Sequence, residues 1–177
     1  IITDSGLSLD RASKLLENNA RVVNELGFGN FFGEIGTILG NPQDSSSLTK
    51  QLGMTRDVVA GIVADFYSMS RDINGLTDNM STLERTNMAR NFVTNVRNMS
   101  LALGVSTDTI QNSIKDFRNS QTFRAASTFL DTNESTNLGQ FGGMLGASGL
   151  SESIQRAFVA AATNIQGSSS KEVLDAF

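Results

Sequence analysis

The sequence predicts an all-α fold, a multi-helix array of helical hairpins with a Gly-rich flexible stretch. Three observations carry this. Apolar residues recur at steps of three, four and seven along most of the chain. No segment shows the strict apolar–polar alternation of a half-buried strand. One helix-start signal, Gly followed by an apolar residue and then Ser or Thr, recurs four times.

The elements follow in order. Residues 8–26 read as one helix through Leu9, Ala12, Leu15, Leu16, Val22, Val23 and Leu26, stopped by Gly27. Residues 28–39, FGNFFGEIGTIL, place Phe28, Phe31, Phe32, Ile35, Ile38 and Leu39 on a second helical stripe. Gly29, Gly33 and Gly36 weaken that helix by roughly 1 kcal/mol each relative to Ala. Asn41-Pro42 opens a polar loop through Ser47. Thr55 to about Asp72 is the clearest helix, with Val58, Val59, Ile62, Val63, Phe66 and Tyr67 as a broad apolar face, and Gly75 breaks it. The longest periodic segment runs from Asn79 to Leu103 through Met80, Leu83, Met88, Phe92, Val96, Met99 and Leu103. Thr107–Arg118 carries Ile110, Ile114 and Phe117, and Phe123–Leu130 carries Phe123, Ala126, Phe129 and Leu130. Residues 131–149, with five glycines from Gly139 to Gly149, read as a Gly/Ser/Asn-rich linker. A last full helix is predicted over Ser151–Ile165. The domain division expected is a helical domain over 1–130, the linker over 131–149 and a C-terminal helical segment over 150–177. The chain begins at Ile1 and ends at Phe177, a few residues into what reads as a new helix capped by Ser169 or Ser170, as expected of a piece cut from a longer polypeptide.

The repeated start signal reads Gly6-Leu7-Ser8, Gly53-Met54-Thr55, Gly104-Val105-Ser106 and Gly149-Leu150-Ser151, at intervals of 45 to 51 residues. The two central copies match further: Asp57 pairs with Asp108, Val59 with Ile110, Val63 with Ile114 and Phe66 with Phe117. The Gly takes a left-handed turn that ends one helix. The apolar residue staples the chain onto the next first turn, and the Ser or Thr caps it for about 1 kcal/mol. Either ordinary helical grammar or a degenerate repeat of hairpins accounts for the pattern.

Composition narrows the function. The chain has no His, no Cys and no Trp. Disulfides, Cys or His zinc sites, cysteine nucleophiles and His-activated nucleophiles are thereby excluded. The net charge of −4 argues against a duplex-DNA footprint, and no specific nucleic-acid partner is expected. No apolar run approaches the ~18 residues of a membrane-spanning helix, and no signal-like segment is visible. Only 18% of residues are charged, while Ser, Thr and Asn number 52, so the surface is largely neutral and polar. Such a surface suits packing against other protein.

Carboxylates are the general acids and bases that remain. Glu17 and Glu25, and Asp57, Asp65 and Asp72, recur at helical spacing, which is also how solvated helix faces look. The glycines of residues 27–36 lack the Lys-Ser/Thr ending and the preceding strand of a phosphate loop. No catalytic residue, cofactor or metal is assigned, and the chain is not expected to be an enzyme. Two segments are singled out instead. Phe28, Phe31, Phe32, Ile35, Ile38 and Leu39, on a helix whose one charge is Glu34, suit a membrane-active element, although the usual Lys/Arg face is missing. The plainer reading is a core helix with glycines at close crossings. Asn87, Asn91, Asn95 and Asn98 form an amide stripe beside Arg90 and Arg97, either a solvated face or a polar seam against a neighbouring subunit.

Three stretches then carry a family likeness: SLDRASKLLENNARVVNELGFG, SLTKQLGMTRDVVAGIVADFYSMSRDI and RNFVTNVRNMSLALGVSTDTIQNSIKD. With them the segment Leu7–Leu130 resembles parts of the tail tape-measure proteins of tailed bacteriophages. The resemblance implies a long, largely helical virion protein that runs inside the tail tube, sets tail length and is released at infection. Some members help breach the host envelope, and some carry a cell-wall hydrolase, of which no signature is visible here. The low charge and many glycines depart from the family's Lys/Glu-rich coiled-coil portions and imply a globular, baseplate-proximal section. The partners implied are other copies of the chain and tail-tube or baseplate proteins. The alternatives are a membrane-active segment acting on the host membrane and a soluble adaptor that binds partner helices.

Overall fold

The computed structural model describes residues 6–74, 80–127 and 132–149. Among them every regular element is a helix: α1 Leu9–Asn18, α2 Ala20–Leu26, α3 Phe28–Leu39, α4 Leu48–Leu52, α5 Arg56–Asn74, α6 Thr82–Leu103, α7 Thr107–Asn119, α8 Gln121–Ser127 and α9 Thr132–Ala147. The chain divides into two compact units, 1–95 and 96–177. The predicted helix Ser151–Ile165 and the chain's end lie outside the described residues.

The first unit is built around α5. Val59, Ala60, Ile62, Val63, Ala64, Phe66 and Tyr67 are all at most 1% exposed, so this helix is covered around most of its circumference. Thr55 stands at its start, with Val59 N–H bonded to the Thr55 carbonyl at 3.1 Å. The single helix predicted over 8–26 is broken in two at Asn19 (φ −124°, ψ 28°). The Asn19 side chain is buried and donates Nδ2–H to the Leu15 carbonyl at 3.0 Å, where Asn19 N–H also bonds, at 3.0 Å. An amide that bonds its own helix's backbone offers an alternative to the helical ladder and bends it. Helix α4, in a stretch to which the sequence assigned no element, is a single short piece. Its C-terminus closes on left-handed Gly53, with Met54 N–H on the Thr49 carbonyl at 2.9 Å.

The first residues of α6 are held by a reciprocal cap. Ser81 N–H and Oγ–H both donate to Glu84 Oε2, at 2.9 and 2.7 Å, and Glu84 N–H donates to Ser81 Oγ at 3.3 Å. The apolar stripe predicted for this helix needs correction: Leu83 is 69% exposed, while Arg85 is buried with Ala89, Phe92, Val93 and Val96.

In the second unit α9 lies along α7. This corrects the linker expected over 131–149. The Gly-rich stretch is helical over Thr132–Ala147, and two of its glycines allow the close approach. A Cβ on Gly143 would sit 2.7 Å from Ile114 Cα and 2.9 Å from Ile114 N, and one on Gly142 would collide with the Phe117 ring. Glycine weakens an isolated helix, but a crossing that admits no Cβ selects it. Phe117 and Phe123 meet edge to face at 5.8 Å, and the Arg118 guanidinium stands 5.3 Å from the Phe123 ring centroid.

All four glycines of the repeated start signal have positive φ: Gly6 64°, Gly53 61°, Gly104 66° and Gly149 75°. Ser8 and Ser106 cap the helices that follow by accepting from Arg11 N–H at 3.2 Å and Thr109 N–H at 3.1 Å. The cap expected at Ser151 lies outside the described residues.

Candidate functional site

The most apolar helix, α3, carries one charge, and that charge is inside. Glu34 is 5% exposed. Its carboxylate is met by Arg85 from α6, whose Nη2 donates to Oε1 at 2.5 Å and whose Nε donates to Oε2 at 2.9 Å. Tyr67 from α5 donates its hydroxyl to Oε2 at 2.9 Å. The remaining Arg85 donors reach the Met80 carbonyl at 3.2 Å and Thr82 Oγ1 at 3.3 Å. The guanidinium fork thus pairs in the planar, two-bond geometry that arginine offers a carboxylate. Burial, and after it the Glu34 charge, hold the Tyr67 hydroxyl far above its ordinary titration range. The Glu34 bonds raise the affinity of Arg85 for its proton against the opposing effect of burial.

Two further arginines hold the C-terminal end of α3. Arg90 Nη2 donates to the Thr37 carbonyl at 2.9 Å, and Arg56 Nη1 donates to the Gly40 carbonyl at 2.9 Å. Cations placed there meet the negative end of the helix dipole and carbonyls that have no partner within the helix. Gly40, at φ 71°, turns the chain out of α3. Burial lowers the affinity of Arg56 for its proton.

The singled-out residues fall in two places. Phe31, Phe32, Ile35, Ile38 and Leu39 are at most 1% exposed, while Phe28 is 42% exposed. Phe28 meets Phe32 at a tilt with ring centroids 5.0 Å apart, Phe31 meets Phe32 edge to face at 5.1 Å, and Phe31 reaches Tyr67 at 6.5 Å. In this conformation α3 is therefore a core helix. Gly29 and Gly33 are not where it is crossed closely, since a Cβ on either would meet nothing within 4 Å. No described helix is long and apolar enough to cross a membrane. Asn87, Asn91 and Asn98 are exposed on α6 and Asn95 is half-buried. On the same helix Leu83 and Leu101 are 69% and 63% exposed.

Two of the carboxylates weighed as acid–base candidates have partners of their own. Asp57 Oδ2 accepts from Ser8 Oγ at 3.1 Å, and Glu25 pairs with Arg71 at 3.0 Å. Among the described residues no three acidic side chains converge in a way that can hold a metal ion. Glu17 lines an open, polar cleft at the α1–α2 break with Asn19, Arg21, Ser68 and Arg71. Arg85 and Tyr67 escaped the sequence reading as partners of Glu34. The available signal was Arg85 itself, which lies four and seven residues before Ala89 and Phe92 and so on their face of the helix. Comparison of the chain with protein-family models, with curated proteins and with solved structures finds no match.

Proposed function

We propose that the chain is a shape-holding rather than catalytic segment, part of a phage tail tape-measure protein that packs against further copies of itself and against tail-tube or baseplate proteins. The resemblance over Leu7–Leu130 supplies the family. The observation that supports packing is the outer face of α6, where exposed Asn87, Asn91 and Asn98 lie on the same helix as exposed Leu83 and Leu101. Amides at a helix seam pair with one another across it and fix its register, and leucines beside them supply apolar area. The interior supports the same reading, because both oxygens of buried Glu34 already accept bonds from Arg85 and Tyr67.

Light scattering on the purified protein tests it. Several copies per particle are expected, and Asn87→Asp with Asn91→Asp, which sets like charges against each other across the seam, is expected to dissociate them. A strictly monomeric protein at high concentration, indifferent to those substitutions, removes the reading. Monomeric behaviour combined with capture of an amphipathic peptide helix would favour the adaptor alternative.

The membrane-active alternative requires Phe31, Phe32, Ile35, Ile38 and Leu39 to leave the core and Glu34 to leave Arg85. In this conformation Phe28 is the member of that set open to a bilayer. Liposome leakage sensitive to Phe28→Asp would favour it.

A further inference from the structure

We infer that the Glu34–Arg85–Tyr67 cluster is a seating lock, a conformational device that selects one alignment of α3 against α5 and α6 while adding little net stability. The apolar contacts of α3 do not by themselves fix that alignment. Phe31, Phe32, Ile35 and Ile38 present similar bulk on successive turns. Burial of such area is non-directional, so a slide by one turn, about 5.4 Å, keeps much of it. The polar contacts do not survive the slide. Arg85 meets Glu34 through two bonds, and Arg90 on the same helix meets the Thr37 carbonyl one turn further along α3. Moving α6 by a turn breaks all three together and strands a carboxylate and a guanidinium whose side chains are each 6% exposed. The native alignment satisfies both charges, and a neighbouring one leaves both buried and unpaired. Discrimination of this kind operates against the wrong packings. In the right one, desolvation of the two ions largely cancels their attraction, so an apolar replacement of similar volume serves stability as well or better.

The inference does not depend on the tape-measure reading. Its test is the triple substitution Glu34→Leu, Tyr67→Phe and Arg85→Met, which removes every polar side-chain atom of the cluster; the other groups Arg85 meets, the Met80 carbonyl and Thr82 Oγ1, belong to residues that reach the surface. The denaturant midpoint is expected to stay at or above that of the unsubstituted protein. Amide protection along α3 in native-state hydrogen exchange is expected to fall at least tenfold, with doubled or broadened NMR resonances from α3 and the first half of α6. Retained protection with one sharp set of resonances would show that the alignment is chosen without the cluster and overturn the inference. A triple variant that loses its midpoint or fails to fold would show that the cluster is a plain stabiliser and overturn it as well. A tenfold fall in protection in a monomeric protein would leave the lock standing while the assembly reading fell.

Discussion

Arg85 closes on Glu34 across 51 residues of chain, with both carboxylate oxygens engaged and both side chains 6% exposed. The pair joins the most apolar helix of the fold to its longest. Removing one member leaves the other charged, buried and without its partner, and that orphan dominates the energetics. Glu34→Leu alone and Arg85→Met alone are each expected to cost about 3–5 kcal/mol. Urea denaturation followed by far-UV circular dichroism measures it. A loss below about 1 kcal/mol for either single variant would mean that the orphaned group reaches water in solution.

Tyr67 is the chain's one tyrosine and there is no tryptophan, so phenolate absorbance and intrinsic fluorescence report on this site alone. Burial first, then the Glu34 charge, raise its hydroxyl above the ordinary value of 10.0. In the unfolded chain the phenol loses its proton near pH 10, whereas the folded protein keeps it. The unfolded state then binds fewer protons, so stability falls as pH rises. The contribution is whole below about pH 10 and erodes above it. Unfolding midpoints are expected to drop steeply in that range, with phenolate absorbance appearing in step with unfolding. Tyr67→Phe is expected to lose that part of the alkaline slope at a cost of about 1 kcal/mol at neutral pH. Ordinary titration of Tyr67 near pH 10 in the folded protein would contradict the geometry.

Most of the helical framework is legible in the sequence, and what escapes it depends on which partner a given side chain finds. Periodicity placed α3 at residues 28–39, α5 within two residues of each end and the buried Ile110, Ile114 and Phe117 of α7, because one helix face determines those patterns locally. The four positive-φ glycines of the repeated start signal were equally legible, since a turn needing φ > 0 selects Gly wherever it falls. Three features depended on particular side-chain partners, one of them local and two distant. Asn19 breaks the first helix through a side-chain bond that competes with the ladder, where the apolar pattern runs on. The face of α6 is set by Glu34, which draws Arg85 inward and leaves Leu83 outside. Helix α9 exists because α7 offers a surface that only glycine can approach, so its composition reads as a linker until α7 is beside it. In the site, Glu34 stood out as the one charge of α3, but its partners lie 33 and 51 residues away.

The cap of α6 gives an acid-side prediction. The Ser81 hydroxyl bond, and after it the Ser81 backbone N–H, hold the Glu84 carboxyl below its ordinary 4.5. A carboxyl with a depressed folded value contributes stability above its unfolded value, and the contribution fades as pH falls through the folded one. Ser81→Ala removes the larger of the two causes. In that variant the Glu84 side-chain carbon resonance is expected to titrate at higher pH than in the unsubstituted protein, with fraying of the first turn of α6 seen in amide exchange. An unchanged Glu84 titration would mean that the reciprocal cap does not form in solution.

Two glycine-to-alanine substitutions are expected to act with opposite signs, although both sit inside helices. At Gly33 the added methyl meets nothing within 4 Å, so alanine's better helix propensity and the smaller entropy of its unfolded chain operate unopposed. A gain of about 0.5–1 kcal/mol is expected. At Gly143 the same methyl would press on Ile114 Cα and N, which are backbone atoms and cannot swing away. Helix α9 must then lift from α7, at a cost of about 1–3 kcal/mol. Thermal unfolding of the two variants separates the alternatives. Were residues 131–149 a free linker, Gly143→Ala would be neutral. Were α3 closely crossed at Gly33, whether by this chain or by a tightly bound second copy, Gly33→Ala would destabilise or dissociate the protein instead of strengthening it.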